Sequence, residues 1–277
     1  MLKHFLSAAD LSRDEAEALL DRATALKAEW RDGGTAGAHG RTPLRGKTLA
    51  LVFEKPSLRT RVAFEAGMTQ LGGHGSYLSA NDIDMGGRES VPDVARNLSR
   101  WVQVVAARVF KHTTVESLAR YGSVPVINAL SDREHPCQAL ADLLTLREQF
   151  GRLQGLKLAF VGDGNNVCHS LMLLGATLGV SVSVGCPPDY RPDPDILALA
   201  ERLAAESDAS IAVTSSPAEA VAGADAIYTD VWTSMGQEHE TARRRPVFQP
   251  YQVNAELMGQ AHAGAVFMHC LPVHRGE

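Results

Sequence analysis

The feature that most constrains this 277-residue chain is an alternation of short apolar runs with amphipathic ones. "KTLALVF" (47–53) precedes "RVAFEAGMTQLGG" (61–73), "VQVVAARVF" (102–110) precedes "TVESLARYG" (114–122), and "VPVINAL" (124–130) precedes "CQALADLLTLREQFG" (137–151). A second series follows: "LKLAFVG" leads to "NVCHSLMLLGATLG" and "VSVSVG" to "PDILALAERLAAES", while "ADAIYTD" and "AVFMHC" supply further buried strands. Apolar strands returning through helices predict parallel sheet with crossover connections. The length exceeds one typical core, so the expected fold is α/β with two lobes, each a parallel sheet with helices on both faces. The joint is expected between Phe150 and Gly155, giving domains 1–150 and 151–277, with the long helix ending at Gly151 as the bridge.

Composition removes several classes of function. No apolar run approaches the ~20 residues of a membrane span, and 27 basic against 32 acidic residues leave a formal charge of −5 with no basic stripe for nucleic acid. The opening "MLKHFLSAADLSRDEAEALL" lacks the pattern of a signal peptide, which favours the cytoplasm. Cys137, Cys168, Cys186 and Cys270 have neither zinc-site spacing nor disulfide-scaffold density, so reduced thiols are expected.

In open parallel sheets, ligands bind outside the carboxyl ends of strands, and the residues there are the ones to read for chemistry. "FEKPSLRTR" (53–61) places Ser57, Arg59, Thr60 and Arg61 between a strand and a helix whose apolar face carries Val62, Phe64, Met68 and Leu71. A helix N-terminus with hydroxyls and guanidinium groups suits a phosphate or carboxylate; an N-cap beside surface arginines is the plain alternative. Arg108 ends the next strand, and His135 and Gln138 follow the one after it. Arginines for a phosphate, hydroxyl and imidazole donors for a carbonyl oxygen, and a glutamine oxygen for an amide N–H together match an acyl phosphate.

In the second half, "VGDGNN" (161–166) superficially resembles a dinucleotide loop, but Val167 stands where the third glycine is wanted and no acidic residue clearly ends the next strand. Asn166 reads as a small-molecule ligand, with Asn165 and Asn166 as helix caps an equal reading. "TDVWTSMGQE" offers Asp230 for an ammonium group, and Ser234, Met235 and Gly236 for a backbone turn that can bind a carboxylate or move as a lid; an exposed loop is its alternative. "FMHCLPVHRGE" places His269 and Cys270 at a strand end. Adjacent strand residues point to opposite faces, so the two are not expected to meet, and Cys270 is read as a hydrogen-bonding group, not a covalent catalyst.

Taken in order, "FEKPSLRTR", "HPCQALADLLT", "GDGNN", "DVWTSMGQE" and "HCLPVHRGE" closely resemble the ornithine carbamoyltransferases across nearly the whole chain. Ser-x-Arg-Thr-Arg and His-Pro-x-Gln are shared among carbamoyltransferases, whereas Asp-x-x-x-Ser-Met-Gly is the narrower signal for ornithine. The resemblance implies that Ser57, Leu58, Arg59, Thr60, Arg108, His135 and Gln138 bind carbamoyl phosphate. It places Cys270 and Leu271 between the substrates and gives Asn166, Asp230, Ser234 and Met235 to L-ornithine. Arg108, His135 and Cys270 are the expected catalytic residues. Leu58 departs from the family's frequent threonine, a small change if the contact runs through its backbone N–H.

The implied reaction yields L-citrulline and phosphate with no metal or organic cofactor, in a homotrimer or a multiple of trimers. The resemblance also implies a continuation beyond Glu277, with another phosphate-binding arginine and a terminal helix, and the expectation is that this tail is missing from the sequence in hand. A carbamoyltransferase for putrescine or an acylated ornithine, a dinucleotide oxidoreductase and a non-catalytic sensor are the competing readings.

Overall fold

A computed structural model describes residues 4–33, 42–83, 85, 87–234 and 236–277. The regular elements are α1 (Arg13–Gly33), β1 (Thr48–Phe53), α2 (Leu58–Gln70), β2 (His74–Ser79), α3 (Ala80–Ile83), α4 (Val91–Leu98), β3 (Val104–Arg108), α5 (His112–Tyr121), β4 (Val126–Leu130) and α6 (Pro136–Phe150), then β5 (Lys157–Val161), α7 (Asn166–Thr177), β6 (Ser181–Gly185), α8 (Pro194–Glu206), β7 (Ile211–Thr214), α9 (Pro217–Val221), β8 (Ala226–Thr229), α10 (Thr241–Phe248), α11 (Ala255–Met258) and β9 (Val266–His269). The strands form two sheets, ordered β2-β1-β3-β4 and β7-β6-β5-β8-β9, and all their pairings are parallel. This is the α/β architecture expected from the alternating runs.

By packing, the chain divides into two compact units, 1–137 and 138–277. The dividing line falls in the first turn of α6. The joint expected near residue 150 follows a different criterion, the end of the helix, where Gly151 takes a φ of +72°.

In the first unit, β1 explains why a strand can read as an unbroken apolar run. Its alternate residues feed different cores: Ala50 and Val52 pack with Val94, Leu98, Val115 and Leu118 from α4 and α5, while Leu49, Leu51 and Phe53 pack with Phe64 and Met68 of α2. A parallel strand covered on both faces leaves no position for a polar residue. The second unit repeats the arrangement around β5, whose Leu158, Ala159, Phe160 and Val161 are all fully buried. Helix α7 is buried along its length from Val167 to Thr177, so it reads as apolar on every side instead of amphipathic.

The strand orders fix where ligands can bind. From β1 the chain goes to β2 on one side and then to β3 on the other; from β5 it goes to β6 and β7 on one side and then to β8 and β9 on the other. Connections therefore diverge beyond the carboxyl ends of β1 and β3, and again beyond those of β5 and β8. Each divergence opens a crevice.

Candidate active site

The first crevice begins with Ser57. Its extended backbone (φ −158°, ψ 118°) makes it the N-cap of α2, where its hydroxyl accepts from the Thr60 backbone N–H at 3.3 Å and donates to Thr60 Oγ1 at 3.0 Å. The plain reading of Ser57 as a cap is therefore correct, and it leaves room for an anion because capping uses only part of the helix end. The amides of Leu58 and Arg59 have no acceptor within the helix. Leu58 is 74% exposed and no side chain of α2 is fully buried, so the helix presents its N-terminus without a packed covering from its own residues.

Arg108 supplies the strongest electrostatic signal. It ends β3 directly beside Phe53 of β1, and a register shift follows in which Ala107 pairs with Asn128 but Arg108 with Leu130. Such a bulge re-aims the side chain that follows it. Arg108 is only 8% exposed, and its Nε is buried with no hydrogen-bond partner. Burial first, and Arg59 second, lower its pKa to about 10, which still leaves it protonated at neutral pH. Lys55, stacked over Phe110 at 4.7 Å, is also pulled down, by burial and then by Arg108. A buried guanidinium with an open N–H beside a second arginine is costly unless an anion completes it.

His135 is placed by a loop that satisfies its own polar groups. Buried Ser131 donates its backbone N–H to the Glu134 carbonyl at 2.9 Å, and the Glu134 N–H returns to Ser131 Oγ at 3.2 Å. The Glu134 carboxylate in turn accepts from the Ala8 N–H at 2.8 Å. Burial, then Arg108, push the His135 pKa down to about 3. The imidazole is neutral at physiological pH, with one N–H to donate and no charge of its own to add to the arginines.

Helix α6 carries Gln138 into the second unit, where its Nε2 donates to Asp142 Oδ1 at 3.0 Å. In the crevice of that unit, the loop after β5 meets the loop after β8. Asn165 caps α7 by accepting from the Val167 and Cys168 amides and donates Nδ2 to Asp230 Oδ2 at 2.7 Å. Asp230 Oδ1 also accepts from the Val231 N–H at 2.7 Å. Of the two asparagines, Asn165 is thus the cap that orients Asp230, and Asn166 is the first residue of α7, half-buried. Ser234 is half-buried and its carbonyl accepts from the Gln237 N–H at 3.0 Å. Gly236 has a φ of +93°, a conformation that suits glycine. Met235 lies outside the described residues.

The two glycines of "GDGNN" serve different ends: Gly162 has a φ of +138°, which side chains rarely allow, and Gly164 serves packing. A Cβ on Gly164 would lie 2.3 Å from the Pro192 backbone nitrogen, so the 191–192 segment occupies the place a side chain would take.

Two expectations change here. His269 and Cys270 do meet: their ligand atoms and an Asp230 oxygen all lie within 4.8 Å of one another. Strand β9 ends at His269, so the alternation that separates neighbouring strand residues no longer governs Cys270. The Cys270 thiol is pushed far above its usual pKa by burial and then by Asp230, to which it is also hydrogen-bonded. It is a protonated donor, not a thiolate. This trio is close-set enough to hold one metal ion, though the chemistry below does not require one. Leu271 is 58% exposed.

The other change is an addition. Arg244 of α10, 2% exposed, donates Nε to the Trp232 carbonyl at 2.6 Å, pairs with Asp163, reaches Glu240 at 3.5 Å and lies over the Tyr190 and Phe248 rings at 4.6 and 4.9 Å. It ties the loop after β5 to the loop after β8. In the sequence it stands inside "RRRP", where nothing separates it from the more exposed Arg243 and Arg245. Asp142 and Tyr228 likewise stand in the sequence without a motif that gives them a role. The Gln138–Asp142 pair at i,i+4 was the one available signal.

Comparison with known proteins agrees with both halves. Residues 3–148 match the aspartate/ornithine carbamoyltransferase carbamoyl-P binding domain, and residues 154–277 the Asp/Orn binding domain of the same family. An ornithine carbamoyltransferase from Anoxybacillus flavithermus is 52% identical over 275 residues, covering 99% of this chain and 86% of the relative. One from Methanothermobacter thermautotrophicus is 52% identical over 276 residues, covering 100% of this chain and 88% of the relative. The solved structure of the Pyrococcus furiosus ornithine carbamoyltransferase superposes with a TM-score of 0.95 at 48% identity, over 100% of this chain and 87% of that one.

Proposed function

The chain belongs to the aspartate/ornithine carbamoyltransferase family, and we propose that its reaction is transfer of the carbamoyl group of carbamoyl phosphate to the δ-amine of L-ornithine, giving L-citrulline and phosphate. The observation that carries this reading is the uncompensated positive charge of the first crevice, Arg108 with its buried open Nε beside Arg59, next to the N-terminus of α2. A dianionic phosphate bearing a carbonyl is the ligand that fits. The acceptor is set by Asp230 and by the ornithine carbamoyltransferases that match at about half identity over the whole chain.

Carbamoyl phosphate already carries its leaving group, so the protein's work is to position the reactants and stabilise charge on the carbonyl oxygen and the departing phosphate. Ser57, Arg59, the amides at Leu58 and Arg59, and Arg108 take the phosphate. Thr60, Arg108 and the neutral His135 take the carbonyl oxygen, and Gln138 the carbamoyl amide. Asp230 holds the α-ammonium of ornithine, with Asn166, Ser234 and Met235 as its other ligands. Cys270, protonated and hydrogen-bonded to Asp230, orients the attacking nitrogen beside Leu271 without forming a bond. The amine attacks the carbonyl carbon, the C–O bond to phosphate breaks, and the phosphate leaves with the proton shed by the amine.

The four cysteines are all free thiols, which supports a reducing compartment, the cytoplasm. No helix among the described residues is long and apolar enough to cross a membrane. The family resemblance supports a homotrimer or a multiple of one.

Citrulline formation from carbamoyl phosphate with L-ornithine, putrescine and N-acetylornithine as parallel acceptors tests the proposal. Turnover with L-ornithine alone is expected, and Asp230→Asn should raise the KM for ornithine far more than that for carbamoyl phosphate. Preference for putrescine or the acylated amine would overturn the acceptor assignment.

A further inference from the structure

Asp142 lies on α6 one turn after Gln138 and is 7% exposed. Its Oδ1 accepts from Gln138 Nε2 at 3.0 Å. Its Oδ2 and the hydroxyl of Tyr228 are both buried without a well-formed hydrogen bond, although the phenol stands beside the carboxylate. Burial is the largest influence on Asp142 and brings its pKa to about 7; Gln138 and Tyr228 act to lower it and Asp230 to raise it. A carboxyl group so placed is expensive to bury, and the reaction proposed above gives it no direct task.

We infer that Asp142 is a positioning residue for carbamoyl transfer: by accepting the Gln138 Nε2–H it fixes the side-chain amide with Oε1 turned to the substrate's NH2. The inference rests on the reading of Gln138 as the ligand of the carbamoyl amide.

The two ends of a carboxamide are nearly the same size but opposite in hydrogen bonding, one an acceptor and one a double donor. The NH2 of a carbamoyl group is itself a donor. Gln138 therefore recognises it in one orientation and repels it in the other, and packing alone distinguishes the two poorly. Asp142 resolves the choice because its Oδ1 accepts in both protonation states: the carboxylate has no proton to give, and in the acid the proton sits on Oδ2. The polar groups around Asp142 are Gln138 on its own helix, Tyr228 on β8, Asp230 after β8 and Cys270 after β9. None of these is a cation, so none draws the carboxylate away from the Gln138 N–H.

The test compares carbamoyl phosphate with acetyl phosphate, in which a methyl group replaces the NH2, and with inorganic phosphate. The KM for carbamoyl phosphate and the inhibition constants of the other two would be measured for the wild type, Gln138→Ala, Asp142→Asn and the double variant. Asparagine keeps the shape of Asp142 but can donate to Oε1 and lets the amide turn over. In the wild type, carbamoyl phosphate should be strongly favoured over acetyl phosphate, and Gln138→Ala should lose roughly 10- to 100-fold of that preference. Asp142→Asn should lose a comparable factor with acetyl phosphate and inorganic phosphate unchanged, and the double variant should lose no more.

If Gln138→Ala leaves the preference intact, the reading of Gln138 fails and the inference with it. If Gln138→Ala loses the preference but Asp142→Asn keeps it, or weakens all three ligands together, the positioning role alone is overturned.

Discussion

Replacing Arg244 by methionine tests how the acceptor loops are held. Methionine retains much of the side chain's length and apolar packing but removes the guanidinium. Arg244 and Asp163 have side chains only 2% and 12% exposed, so the variant leaves a carboxylate largely buried without its charge partner. Breaking a buried pair from one side costs about 3–5 kcal/mol. For a unit of this size that corresponds to a fall in melting temperature of roughly 10–15 °C. The Trp232 carbonyl loses its charged donor too. Such bonds are worth about 1.5–3 kcal/mol, and because Trp232 lies between Asp230 and Ser234, the KM for ornithine should rise about tenfold or more while that for carbamoyl phosphate moves little.

The pH dependence of this loss has a definite sign. Burial already raises the pKa of Asp163, with Arg244 the largest opposing influence. Without Arg244 the folded-state pKa climbs further above its unfolded value, and stability falls as pH rises through it. The deficit should be larger at pH 8 than at pH 5. Adding Asp163→Asn to Arg244→Met removes the stranded charge and should restore half or more of the loss. Thermal melts at the two pH values, with steady-state kinetics, provide the assay. A melting temperature within about 2 °C of the wild type, with ornithine KM unchanged, would refute the reasoning.

Other outcomes follow from the same geometry. Arg59→Ala should lower turnover by several powers of ten, because Arg108 and the helix end would face the phosphate without their second cation; near-normal kcat would remove Arg59 from the phosphate site. Cys270→Ser should keep kcat within about tenfold, since the thiol acts as a donor and not as a nucleophile; complete loss, or a trapped covalent intermediate in the wild type by mass spectrometry, would contradict this. At subsaturating ornithine the rate should climb from pH 7 towards 9, because an alkylammonium of pKa about 10.4 is roughly 99.9% protonated near pH 7 and only the neutral amine attacks. A flat profile would argue against selection of the neutral amine. His135, with its pKa depressed to about 3, contributes stability present above about pH 6.5 and lost as pH falls towards 3. His135→Gln should therefore flatten the acid limb of a stability-versus-pH curve measured by denaturant unfolding.

The sequence by itself determined the architecture and the outline of the first crevice. Apolar runs such as "LKLAFV" can only be strands buried on two faces, and their alternation with helices dictates parallel pairing and ligands at strand ends. Ser57, Arg59, Arg108 and His135 were legible as strand-end residues because each ends a strand or follows one within a few residues, which keeps it near that strand end in space. Tertiary structure alone decided which polar residues are solvated and which are enclosed. Arg243, Arg244 and Arg245 are chemically identical, yet only Arg244 is sealed under Tyr190 and Phe248 and paired with Asp163, 81 residues earlier in the chain. Asp142 acquires its raised pKa chiefly from burial, with Asp230, far away in the sequence, adding to it, and Cys270 meets His269 because β9 stops one residue short of it. Helical and strand periods act over a few residues, whereas burial and electrostatic partnership are set by segments that meet only when the sheet assembles, and no local pattern encodes them.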